Sequence, residues 1–319
     1  MFTKTFLRNA SSGINRGFHT YSFKSMPSVA RKPAFLTGFI GASITTFAAY
    51  ESFKYYWPHS TYVSLESPVY SSSISNLEDT IVVDKSINSF PTTLVSPEDG
   101  QTKFSLIGYG NRKVTFLQFS VYGLGIYIAN EDVAKIPEVL NSKYLSEVFI
   151  DKHDPSLSHA DNLALALKDP ETSEVLINNL LDANIRFLIR IVPLRDTDFN
   201  HLRDGFVKSC VRNRLVKSSA PDNLNSGIDE IRVIFKKYRS KCPKNHVFLV
   251  ETDKEGKTSF IYENLGKHPE QKKVEEVVYL GTVQETVISK ALLLNYFAGA
   301  KPISNDARKK CIDEILRVV

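Results

Sequence analysis

Alternating apolar and polar positions mark the middle of this chain as sheet. Thr92–Val95, Phe104–Tyr109 and Val114–Ile128 are rich in β-branched and aromatic residues, and each predicts a strand. In the longest run Phe116, Gln118, Ser120, Tyr122 and Leu124 share one face, and Thr115, Leu117, Phe119 and Val121 the other. Residues 131–150 and 160–182 change to helical spacing. Period two then returns: Ile185, Phe187, Ile189 and Ile191 alternate with Arg186, Leu188, Arg190 and Val192, and Pro193 ends the run. Asp196-Thr197-Asp198 supplies oxygens suited to the free N–H groups of a first helical turn. The helix it opens carries Phe199, Leu202, Phe206 and Cys210 on one stripe. Further on, the pattern predicts helices over 223–238, 284–298 and 306–317, and strands over 247–251, 259–262 and 274–283. Strands come in clusters separated by helical blocks, without strand–helix–strand alternation, so the fold class is α+β.

The N-terminal part follows other rules. Residues 1–32 hold six basic groups (Lys4, Arg8, Arg16, Lys24, Arg31, Lys32), and the first acid is Glu51. This basic, acid-poor, Ser/Thr-dotted composition is that of a mitochondrial presequence. Residues 33–50 are uncharged, with Arg31 and Lys32 before them and Phe53, Tyr55, Tyr56 and Trp57 after. They are read as a transmembrane anchor, close to the shortest span a bilayer accepts, flanked by an interfacial aromatic cluster. The other reading is the apolar part of a longer cleaved presequence. Basic residues stay on the side of synthesis or in the matrix, so the body would face the intermembrane space from the inner membrane. Residues 51–90 read as a linker, with a strand at Thr80–Val83, and 91–319 as one domain.

Charge changes the picture little beyond this. The chain has 40 basic and 35 acidic residues. Without the N-terminal six the balance is close to neutral, so no broad nucleic-acid-binding surface is expected. Cys210, Cys242 and Cys311 are widely spaced and form no CxxC, so free thiols are expected, with a disulfide open in an oxidising compartment. There is no nucleotide-binding glycine loop, no nucleophile elbow and no HExxH. His153 and His159 lack a third metal ligand nearby.

The most informative segment is Gly108-Tyr-Gly110-Asn-Arg112, followed by strand-like residues ending Gly125-Ile126-Tyr127. An arginine in such a run needs an acid, an anionic ligand or an exposed edge, because it cannot lose its charge. This block, together with Pro193-Leu-Arg-Asp-Thr-Asp-Phe-Asn-His-Leu-Arg-Asp-Gly205-Phe206, resembles the chalcone isomerase-like family, in its fungal mitochondrial branch. The resemblance implies an open-faced β-sandwich, with a large antiparallel sheet backed by helices and a ligand cleft between them. In the plant enzymes of that family the arginine stabilises a phenolate, and threonine and tyrosine groups polarise a ketone. The arginine falls on Arg112. The threonine position falls on Tyr122, which fills space a flavonoid would need. Non-catalytic relatives that bind fatty acids pair an arginine with a tyrosine there.

The expected ligand-binding residues are therefore Arg112 and Tyr122. The alternatives are an ion pair between Arg112 and a core acid, and an ordinary sheet role for Tyr122. His201 is read as a solvated or capping histidine, or as a haem iron ligand, since an apolar cleft with an arginine suits a porphyrin and its propionates. The function expected is binding of an apolar, acid-bearing ligand, haem or fatty acid, without isomerase activity. The alternatives are an intramolecular lyase acting on an enone and an interaction module with a vestigial cleft.

Overall fold

The computed structural model describes residues 79–114, 119–141, 154, 156–238 and 240–319. The presequence, the anchor segment 33–50 and most of the linker lie outside the described residues. A hairpin of β1 (Thr80–Ile81) and β2 (Phe90–Pro91) comes first. Then β3 (Thr93–Val95), β4 (Lys103–Val114), β5 (Phe119–Ala129) and β6 (Phe187–Pro193) enter the main sheet. A short ribbon pairs β7 (Thr197–Asp198) with β8 (Lys241–Cys242). β9 (Val247–Thr252), β10 (Thr258–Asn264) and β11 (Glu276–Val283) complete a seven-stranded sheet. Its order is β11-β10-β9-β6-β5-β4-β3, and every neighbouring pair is antiparallel. The helices are α1 (Lys135–Val139), α2 (His159–Lys168), α3 (Pro170–Asp182), α4 (Phe199–Arg212), α5 (Arg214–Ser219), α6 (Pro221–Lys236), α7 (Val287–Phe297) and α8 (Asn305–Val318). The expected α+β class and helix-backed antiparallel sheet are what the chain adopts.

Period two places the core. Phe187, Ile189 and Ile191 of β6 join Leu124 and Ile126 of β5 and Phe248 of β9 against the helices. Leu188 and Val192 face the other way, with Tyr127, Leu249 and Ile261. That second face is covered in part by Ile87 and Phe90, which are buried against it. These residues lie in the span expected as a linker. Two apolar side chains in a polar stretch gave too little periodicity to show that they pack.

One strand boundary differs from expectation. β4 runs unbroken through Gly108, Gly110 and Arg112 to Val114, which pairs with Phe119 of β5. The glycines serve close approach rather than a turn. A Cβ on Gly108 would lie 2.6 Å from the Ala307 carbonyl, and one on Gly110 2.6 Å from Ser304 Oγ, so both admit α8 onto the strand. Gly123 and Gly125 do the same on the opposite face for Ile87 and Phe90, where Cβ atoms would lie 2.5 and 2.8 Å from those side chains.

Two buried charges fix the sheet's far end. Arg186 donates from Nε to Asp132 Oδ2 at 2.7 Å, and its backbone N–H reaches the same oxygen at 3.0 Å. Burial opposes ionisation of Asp132, but the hydrogen bonds from Arg186 and Lys135 outweigh it and hold the carboxyl below its ordinary pKa. Glu251 is bonded to no cation among the described residues, and the charge of Arg186 lowers its pKa only as a lesser cause. Ser96 donates to its Oε1 at 2.5 Å, while Oε2 has no hydrogen-bond partner among the described residues. Burial pushes Glu251 up to about 7; Ser96 opposes the shift, and Glu98 and Asp99 add to it. Among the described residues no helix is long and apolar enough to cross a membrane.

Candidate functional site

Arg112 and Tyr122 are cross-strand partners in the β4–β5 register, so the hairpin itself sets them side by side. The ladder shifts register just after Arg112, a device that re-aims a side chain. The guanidinium donates from Nη1 to the Tyr122 hydroxyl at 3.1 Å and lies 5.5 Å from the centre of that ring. Among the described residues no carboxylate pairs with Arg112. The core-acid alternative is thereby not the one adopted there. Tyr122 raises the Arg112 pKa above its ordinary value; burial works against this and the hydrogen bond adds to it.

These two residues open into a cleft of about 410 Å³ between the sheet and α4. Val114, Val121, Ile191 and Pro193 form its sheet wall, and Leu202, Gly205 and Phe206 its helix wall. Tyr296, from α7, closes the inner end. Its phenol is buried, and burial pushes its pKa well above the ordinary value; the neighbouring Tyr122 adds and Arg112 opposes. The inner end is thus a fixed cation beside two phenols, inside apolar walls. Such a group of donors suits a carboxylate or a developing oxyanion.

His201 lies at the mouth with Arg195, Asp196 and Thr197. Asp198 caps α4, accepting from the His201 backbone N–H at 2.9 Å, and its other oxygen meets His201 Nδ1 at 2.6 Å. The backbone bond from His201 is the main cause that lowers the Asp198 pKa. The imidazole is 79% exposed in the first turn of α4, where the cap is Asp198 and the His201 backbone N–H is the group it caps. Its Nδ1 is held by the Asp198 carboxylate, so Nε2 is the ring nitrogen turned away from that contact.

Three contributors were not foreseen. Arg195 and Gly205 lie inside the recognised block 193–206 without having been given a role. Tyr296 sits in a helix that is buried nearly all round, where one tyrosine among leucines carries no periodic signal.

The sequence profile described as chalcone isomerase like matches residues 102–312. Altered inheritance of mitochondria protein 18, mitochondrial, of Debaryomyces hansenii is 43% identical over 235 residues, 73% of this chain and 74% of its own. Altered inheritance of mitochondria protein 46, mitochondrial, of Saccharomyces cerevisiae is 38% identical over 240 residues, 74% of this chain and 75% of its own. Among solved structures, a fatty-acid binding protein of Arabidopsis thaliana shares the fold, with a TM-score of 0.53, 19% identity, and coverage of 75% of this chain and 98% of that one. By the profile match over about two thirds of its length, the chain belongs to the chalcone isomerase-like family.

Proposed function

We propose that this is a mitochondrial ligand-binding protein whose cleft takes an apolar, acid-bearing molecule, a fatty acid or haem, without cyclisation chemistry. One observation carries the reading. Arg112 holds its charge at the end of an apolar cleft, bonded to a phenol rather than to an acid. A cation placed this way retains its capacity to bind an incoming carboxylate, and the apolar walls exclude the water that would weaken the bond. The Arabidopsis neighbour, named for fatty-acid binding, agrees with the ligand class. Haem also suits these residues: His201 would hold its iron through a ring nitrogen, and Arg112 and Arg195 would meet its propionates. Bound haem would contribute iron-centred ligand or redox chemistry. We further propose that residues 33–50 hold the protein at the inner membrane, with the domain in the intermembrane space.

The enone-lyase alternative draws on the same phenols, since Tyr122 and Tyr296 could each donate to a ketone. Tyr122, however, occupies the space in front of Arg112 that a bulky polyphenol would need. The test is to purify the full chain, record its visible spectrum, and extract its bound small molecules for mass analysis. A Soret band, or fatty acids at stoichiometric yield, supports binding. A protein that carries neither, and that binds neither added palmitate nor haemin, is not a ligand carrier of this kind. Turnover of a chalcone that depends on Arg112 would instead favour the lyase.

A further inference from the structure

α4 turns one stripe toward the cleft, made of His201, Gly205 and Ser209 at four-residue spacing. Each step along it is about 6 Å. His201 stands at the exposed mouth. Ser209 is buried at the other end, where its carbonyl accepts from Asn295 Nδ2 at 3.0 Å, next in chain to Tyr296. Gly205 therefore lies midway along the path from solvent to the phenols.

Glycine inside a helix is destabilising relative to alanine, so its presence calls for a cause. Gly227, in α6, has an evident one: a Cβ there would lie 2.8 Å from Ile288 Cδ1. Gly205 has neither of the usual causes. A Cβ on it would meet no atom within 4 Å, and its backbone is not left-handed. Among the described residues nothing lies within 4 Å of where that Cβ would sit, and Gly205 itself lines the cleft. The wall beside it is also chemically quiet, because the Ser209 hydroxyl donates back to the Gly205 carbonyl at 2.9 Å.

We propose that Gly205 is the specificity-determining residue of the cleft. Its missing side chain lets the apolar body of an amphipathic acid, an acyl chain or a flat ring, lie against the α4 backbone while the acid reaches Arg112. The assignment rests on the ligand-binding reading above. It predicts an opposite response of fold and site: a side chain at 205 improves the helix and obstructs the ligand.

The test uses the purified full chain, with Gly205→Ala and Gly205→Leu variants. Palmitate binding is read by displacement of dansylundecanoic acid, haemin by absorbance titration, and stability by thermal melting. The alanine variant should melt higher than wild type and bind the accepted probe more weakly. The leucine variant should lose roughly five- to a hundredfold in affinity, the equivalent of overpacking a filled site. Wild-type affinity in both variants overturns the assignment and leaves the ligand-binding reading standing. A lower melting temperature in the alanine variant also overturns it, since the glycine would then serve the fold. A wild-type protein that binds neither probe overturns the ligand reading itself, and this assignment with it. Should the leucine variant fail to fold, the alanine variant decides alone.

Discussion

Replacing Arg112 with alanine separates a ligand clamp from a structural arginine, because the two roles differ in what they cost. Within the protein, the change removes one hydrogen bond to Tyr122 and one contact with its ring. The bond contributes about 0.5–1.5 kcal/mol and the ring contact about 0.5–1 kcal/mol. A loss of about 1–2.5 kcal/mol corresponds to a fall of roughly 2–10 °C in melting temperature for a domain of this size. Toward a ligand carboxylate the loss is of a charge-assisted bond, about 1.5–3 kcal/mol, or roughly ten- to 150-fold in affinity. Arg112→Lys should restore part of this, since an ammonium cannot make the paired planar contact. Melting temperature and ligand occupancy are measured on the same preparations. A fall equivalent to about 3–5 kcal/mol, the penalty for orphaning a buried acid, with unchanged occupancy per folded molecule, would refute the reasoning.

Gly108→Val should cost about 1–3 kcal/mol or more in denaturant unfolding, because its side chain would collide with the α8 backbone; an unchanged midpoint would contradict the close approach. Glu251 gives a pH signature. Its folded pKa, about 7, is raised, so its contribution is fully present below the unfolded value of about 4.3 and is lost as pH rises through 7. Glu251→Gln should therefore gain stability over wild type at pH 8, on the order of 3 kcal/mol, and little at pH 4; parallel pH profiles for the two proteins would sink the assignment. Alkaline carbonate extraction of mitochondria should leave the full-length protein in the pellet, and complete release would remove the proposed anchor.

Much of the architecture could be read from side-chain alternation. Ile185–Val192 showed both faces of its strand correctly, since a strand buried on both sides still sorts its arginines from its isoleucines. The α4 stripe was equally legible, because Asp198 caps and Phe199, Phe206 and Cys210 repeat at helical spacing. The unbroken length of β4 was not. Glycine marks both turns and close contacts, and only the position of α8 tells them apart. Arg112 and Tyr122 could be named from the motif, but their direct bond depends on strand register, which a single residue of slip would have abolished. Tyr296 and Gly205 draw their roles from what lies opposite them, and no local pattern encodes that.

The three cysteines offer a practical consequence. Cys210 lies in α4, Cys242 in β8 and Cys311 in α8, and all are free and buried. Burial pushes the thiols of Cys210 and Cys242 up to about 12, and that of Cys311 upward as well. Alkylation needs the thiolate and access to it, so each is protected until its own element opens. The wild-type chain thus contains built-in chronometers at the cleft wall, the short ribbon and the sheet-backing helix. Their maleimide labelling rates, resolved by peptide mass, would report which part of the domain breathes first and whether a bound ligand slows the cleft wall in particular.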